Sequence, residues 1–204
     1  MKYEISEFNL GDKTFTLEIE NPNARFFADF PEMLKGYDVE KVAKEVEILK
    51  KVARKIYQCS NLKSEGFDDD LCLLELPEAF IFMIFSKYLL GENQEFESEK
   101  TGFNSKTLIF EDLKGNKYTK EKVKFIPALK AIKYKDLTSK INAKNPNKKN
   151  IESFFDGVSA ILKNEVNLDL PFETGEILNN FSLYTTLNLY KAVSNVEYEV
   201  EKKI

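Results

Sequence analysis

Between Ala79 and Phe85 the chain is apolar without a break, reading AFIFMIF. Pro77 stands before this run and Gly91 after it, the residue types that open and close helices. Phe, Ile and Met also tolerate a strand, but these brackets favour a helix over Pro77–Leu90. A helix apolar on most of its circumference belongs in the middle of a core. A bilayer span needs about 20 apolar residues, and here Glu78 and Lys87 close the run far too early.

Elsewhere the apolar positions alternate or recur every three to four residues. Phe15, Leu17 and Ile19 alternate with polar residues after a Gly11-Asp12 turn, and Tyr3, Ile5 and Phe8 precede it. That pattern predicts an N-terminal β-hairpin. Two short helical turns broken at Pro31 follow in Asn21–Leu34. Asp38 is the predicted cap of a helix over Val39–Cys59, whose positions Val39, Val42, Val46, Leu49, Ala53 and Ile56 form a heptad seam. One partner helix, from within the fold or from another copy, would cover that seam. NLKSEGFDDD reads as an exposed acidic loop. Strand-like pieces at Gln94–Glu99, Lys106–Phe110 and Lys117–Thr119, continued by Val123 and Phe125, predict a small antiparallel meander. Pro127 opens a helical stretch to Ile141, and Asn142–Asn150 is a polar linker. Ile151, Phe154, Phe155, Val158, Ile161 and Leu162 mark an amphipathic helix. A further helix is predicted from Thr174 through Ile177, Leu178, Phe181, Tyr184 and Leu187. Val196, Tyr198 and Val200 alternate as a terminal edge strand would.

The expected fold class is α+β, mostly helical, with an N-terminal β-hairpin and a small central antiparallel meander. The expected organisation is a core domain over 1–141, a linker over 142–150, and a helical segment over 151–204 packed on the core. With 204 residues, 43% of them hydrophobic, such a chain needs neither disulfides nor a metal to fold. Cys59 and Cys72 lack metal-ligand spacing and read as reduced thiols of a cytosolic protein. The opening MKYEISEFNL carries Lys2 and Glu4 and no apolar stretch, so it is not expected to be a signal or transit peptide.

The chain contains no histidine. The commonest general base and the commonest metal ligand are therefore missing, and with them Ser-His-Asp and Cys-His nucleophiles. Neither standard Gly-rich phosphate loop occurs. No cofactor and no enzymatic activity are expected. The remaining enzymatic alternative is a carboxylate-dependent metal nuclease. Its candidate groups are the Asp68-Asp69-Asp70 cluster and the pair Glu201-x-Lys203 near the chain end, and a solvated loop is the plainer account of the former.

Charge is distributed unevenly. From Lys114 to Lys149 there are twelve lysines against two acids, Glu121 and Asp136, whereas the whole chain carries −4. Arg25 and Arg54 are the only arginines. A lysine-rich segment interleaved with Tyr118, Phe125 and Tyr134 can contact a nucleic-acid backbone or an acidic protein. Base-specific readout would call for Arg, Asn and Gln instead. Lys120, Lys122, Lys124, Lys130, Lys133 and Lys135 are the candidate partner-binding residues, the first three sharing one face of a strand. A merely solvated lysine face is the competing account.

From Ala53 through IYQCSNL and LPEAFIFMIFSKYLLGE to Phe110, the chain runs helix, lone Cys59, acidic loop, buried helix, Gly91-Glu92 and meander. This order resembles small baseplate-hub and tail-assembly proteins of contractile-tailed phages, over under a third of the chain. The resemblance implies a structural protein that docks to other tail subunits, located in the virion or the host cytoplasm, with no catalytic residues to transfer. The alternatives are an anti-CRISPR-like inhibitor that binds a host defence nuclease or nucleic-acid-handling complex, and the metal nuclease above. No membrane partner is expected.

Overall fold

A computed structural model describes residues 1–30, 46–102, 104–127, 131, 147–166, 168–173 and 176–194. Strands β1 (Lys2–Leu10) and β2 (Lys13–Glu20) pair antiparallel. Gly11, at φ 56°, makes the turn that an L-residue with a side chain adopts at a cost. Alternation sends Phe8, Leu10, Leu17 and Ile19 into the core. The ladder slips between Ile5 and Phe8, so Ser6 and Glu7 face a single residue of β2, with Glu7 left-handed at φ 54°. A 3-10 turn follows at Ala24–Phe27.

Helix α1 spans Val46–Gln58. Its buried side is Ile48, Val52, Ala53, Lys55 and Ile56, while Val46 is 62% exposed. The heptad seam and the buried side coincide at Ala53 and Ile56 and part at the start of the helix, where Val46 is exposed. Ile48 and Val52 lie outside the seam yet face the core, and Lys55 is drawn in with them. The Lys55 ammonium donates to the Phe26 carbonyl at 2.9 Å and to Asp29 Oδ1 at 2.7 Å, and sits 4.1 Å from the Phe26 ring centre. Asp38, Val39, Val42 and Pro31 lie outside the described residues.

The acidic loop has structural duties. Leu62 within it is fully buried. Phe67 packs on Phe15 at 5.6 Å. Asp69 caps a 3-10 turn at Asp70–Glu75 by accepting from the Leu71 N–H at 2.8 Å.

Helix α2 (Glu78–Ile84) starts after Pro77 and widens into a π-helical turn at Phe85–Leu90, ended by Gly91 at φ 89°. Ile81, Ile84, Phe85 and Leu89 are buried, and Phe85 lies between Phe27 and Phe30 at 5.9 and 6.1 Å. Phe82 is nearly buried, and Phe80, half-buried, stacks on Phe8.

Strands β3 (Phe96–Gly102), β4 (Ser105–Glu111) and β5 (Lys117–Lys124) form an antiparallel sheet with β4 in the middle. Leu108 and Phe110 point from β4 into the core, where Phe110 stacks on Tyr118 and meets Phe181 edge-on. With the hairpin and the helices, this sheet makes the fold α+β.

Helix α3 (Lys148–Ala160) begins inside the stretch read as linker. Asn147 caps it, accepting from the Asn150 N–H at 3.0 Å. It ends in a π-helical turn at Ile161–Glu165, and all six apolar positions predicted for it are buried.

The single helix predicted from Thr174 is in fact broken. A 3-10 turn occupies Ile177–Asn179, and helix α4 runs Leu183–Ser194. Tertiary partners take the backbone between them: the Asn180 carbonyl accepts from Leu113 and the Phe181 carbonyl from Ala24. Ser182 then caps α4 through the Thr185 N–H at 3.2 Å. Thr174 itself and the alternating tail lie outside the described residues.

Candidate protein-contact surface

The inner face of the β3–β4–β5 sheet is core, and its outer face is exposed along both edge strands. Ser105, Thr107, Ile109 and Glu111 run down the middle of that face, half-buried. On β3, every residue after Phe96 is exposed, and Glu97 and Glu99 share the outer side. On β5, Lys117, Thr119 and Lys124 point outward. Edge strands of a three-stranded sheet stand about 10 Å apart, twice the strand spacing. Lys117 bridges that distance at the Glu111 end, where it meets Glu95, but among the described residues neither Glu97 nor Glu99 forms an ion pair with a lysine of β5. Beyond that level the face is split, with Glu97 and Glu99 along one edge and Lys122 and Lys124 along the other.

A bulge decides which lysines reach it. Leu108 pairs with Lys120 and Lys106 with Val123, so Glu121 and Lys122 together oppose one residue of β4, and Lys122 is left-handed at φ 54°. The expectation that Lys120, Lys122 and Lys124 share one face fails for this reason. Lys120 falls on the inner side. It donates to the Asp169 carbonyl at 2.6 Å, with the Asp169 carboxylate 3.7 Å away. Lys122 and Lys124 remain exposed. Lys117 pairs with Glu95 and, at 3.7 Å, with Glu111. Lys130, Lys133 and Lys135 lie outside the described residues. Val123 is buried, as alternation demands, and Phe125 half-buried under the Lys106 ammonium.

Sequence reasoning passed over the acidic half of this surface. Its signal was present in EFESEK, where Glu95, Glu97 and Glu99 recur at the strand period of two. It passed over Asp169 as well, which no local pattern links to Lys120.

A groove of ≈570 Å³ lies where the end of β2, the C-terminus of α1 and the β4–β5 turn meet. Asn21, Phe26, Gln58, Cys59 and Lys114 help line it. Burial pushes the Cys59 thiol up to about 12, and burial also raises Cys72. Both thiols are protonated at neutral pH, the form that is a poor nucleophile. In the acidic loop, Asp69 serves as a cap and Asp70 pairs with Arg54 at 3.4 Å. Among the described residues no cluster of three or more acidic or thiol groups could hold a metal ion, and no helix is long and apolar enough to cross a membrane. Glu201 and Lys203 lie outside them.

No protein-family model, no curated protein and no solved structure matches this chain.

Proposed function

We propose that this chain is a non-enzymatic assembly protein of the phage tail or baseplate type, working by docking to other protein subunits. Its place of action on this reading is the host cytoplasm during assembly, or the virion. The observation that supports the reading is the charge-split outer face of the β3–β4–β5 sheet. A rigid sheet backed by Leu108 and Phe110 holds acidic and basic edges in fixed relation. Such a surface favours a partner whose own charges are likewise fixed, which describes a folded protein better than a uniform polyanion. A phosphate backbone drawn to Lys122 and Lys124 would meet Glu97 and Glu99 within one to one and a half Debye lengths at ordinary salt, about 8–10 Å.

Capture of partners from the native host tests this. Wild-type protein should retain tail or baseplate subunits, and capture should weaken steeply between low and high salt. Lys122→Glu with Lys124→Glu should keep the circular dichroism spectrum and lose at least about tenfold in affinity at low salt, a cost of about 1.4 kcal/mol. Unchanged capture with unchanged salt dependence would remove the sheet face from the mechanism. Stoichiometric inhibition of a defence nuclease, with no tail subunit retained, would replace the reading with the inhibitor alternative.

A further inference from the structure

We propose that the outer face of the β3–β4–β5 sheet binds the same face of a second copy of this chain. The inference rests on reading that face as a contact surface, and it names the occupant. The charges stand at fixed levels along the strands. Glu99 is opposite Thr107 on β4, and the bulge of Glu121 and Lys122 lies at that same level on β5. Glu97, Ile109 and Thr119 share the next level.

Two sheets packed face to face lie about 10 Å apart with their strands roughly aligned. A two-fold axis between them and parallel to the strands exchanges the left and right edges while keeping each level. It lays β3 of one copy over β5 of the other, so Glu99 meets Lys122 twice, once on each side of the axis. Thr107 and Ile109 of the two copies meet along the axis and supply the apolar centre. A two-fold axis in the same plane but across the strands would lay Glu edge on Glu edge and Lys edge on Lys edge. The first arrangement alone is attractive, and it is the closed, isologous kind that ends at a pair. Glu121 shares the bulge with Lys122 and weakens the attraction without reversing the pattern.

The face is small. Three strands of about seven residues cover roughly 350 Å², against about 800 Å² per partner in a standard stable complex. The pairing is accordingly weak, reversible and sensitive to salt.

Sedimentation equilibrium of the full chain over a wide concentration range, in low and high salt, tests the proposal. Wild type should self-associate in low salt and dissociate in high salt. Glu97→Lys with Glu99→Lys, and separately Lys122→Glu with Lys124→Glu, should each stay monomeric under the same low-salt conditions. An equimolar mixture of the two variants should associate again, since one presents a basic face and the other an acidic one. A chain carrying all four reversals should self-associate like wild type. This rescue separates charge pairing from mere loss of folding. A wild type that stays monomeric at every concentration in low salt overturns the proposal, and so does a mixture that stays monomeric while wild type associates. A monomeric wild type that still captures tail subunits in a salt-dependent way defeats the self-pairing and leaves the assembly role standing.

Discussion

Asp112, buried at the β4–β5 turn, accepts four hydrogen bonds. They come from the Lys114 N–H at 2.8 Å, the Asn116 N–H at 2.9 Å, the Asn116 side-chain amide at 2.8 Å and the Tyr118 hydroxyl at 3.0 Å. Burial works to raise its carboxyl pKa. The donations from Asn116, Lys114 and Tyr118 outweigh burial and hold it below the ordinary 3.8. The Tyr118 hydroxyl is pushed up to about 12, by burial first and then by bonding to a carboxylate. Because the folded pKa of Asp112 is the lower one, the carboxylate's contribution is complete above the unfolded value. It is lost as pH falls through the folded value. Asp112→Asn should therefore cost about 1–3 kcal/mol at pH 7. The gap between variant and wild type should narrow as the solution is taken below about pH 4. Urea melts at pH 7 and pH 3 measure both quantities, and a gap of equal size at the two would show that the charge contributes nothing.

At the scale of elements, α2 and α1 make a contrast. Phe85 fills the space between Phe27 and Phe30 with about 1% of its surface exposed. Phe85→Ala should cost about 3–5 kcal/mol. Val46→Ala, at a seam position that faces water, should stay within about 0.5 kcal/mol. Thermal melts check both, and a clear loss on Val46→Ala would restore the heptad reading, which buries Val46. The elements legible in the sequence were those whose residues state their own period: the hairpin, the run after Pro77, the meander and α3. Those that were not legible depend on distant partners. The break before α4 exists because Leu113 and Ala24 claim the carbonyls of Asn180 and Phe181. Lys55 can lie on the buried face of α1 because the Phe26 carbonyl and Asp29 take its ammonium. The bulge at Lys122 places a non-glycine residue in the left-handed region, and no residue type announces that. The basic half of the candidate surface could thus be located from composition, but which lysines face outward could not.

At the scale of the whole molecule, the central helix and the C-terminal helix meet at Gly91. A Cβ there would lie 2.5 Å from Ser182 Oγ, 2.6 Å from Ser182 Cβ and 2.9 Å from Gln94 Oε1. Gln94 in turn accepts from Thr185 at 3.3 Å and donates to the Asp112 carbonyl at 3.3 Å, tying α4 to the sheet. Gly91→Ala adds left-handed strain to a steric clash with a helix cap. Together these should cost about 3 kcal/mol or more, a fall of roughly 6–12 °C in Tm for a domain of this size. Adding Ser182→Gly should recover part of the loss, and strict additivity of the two substitutions would mean that the close approach does not exist.

The bond between the Ala24 N–H and the Phe181 carbonyl, 3.0 Å long, joins the second tenth of the chain to the ninth. A ribosome adding about 5–20 residues per second needs on the order of ten to thirty seconds to pass from one to the other. The N-terminal hairpin is complete at Glu20 and can close in microseconds. Its apolar side, Phe8, Leu10, Leu17 and Ile19, waits a shorter time, for Phe80 and for the turns at Asp70–Glu75 and Phe85–Leu90. The nascent chain is then an open amphipathic sheet, and its yield in a cell depends on what shields that side during translation.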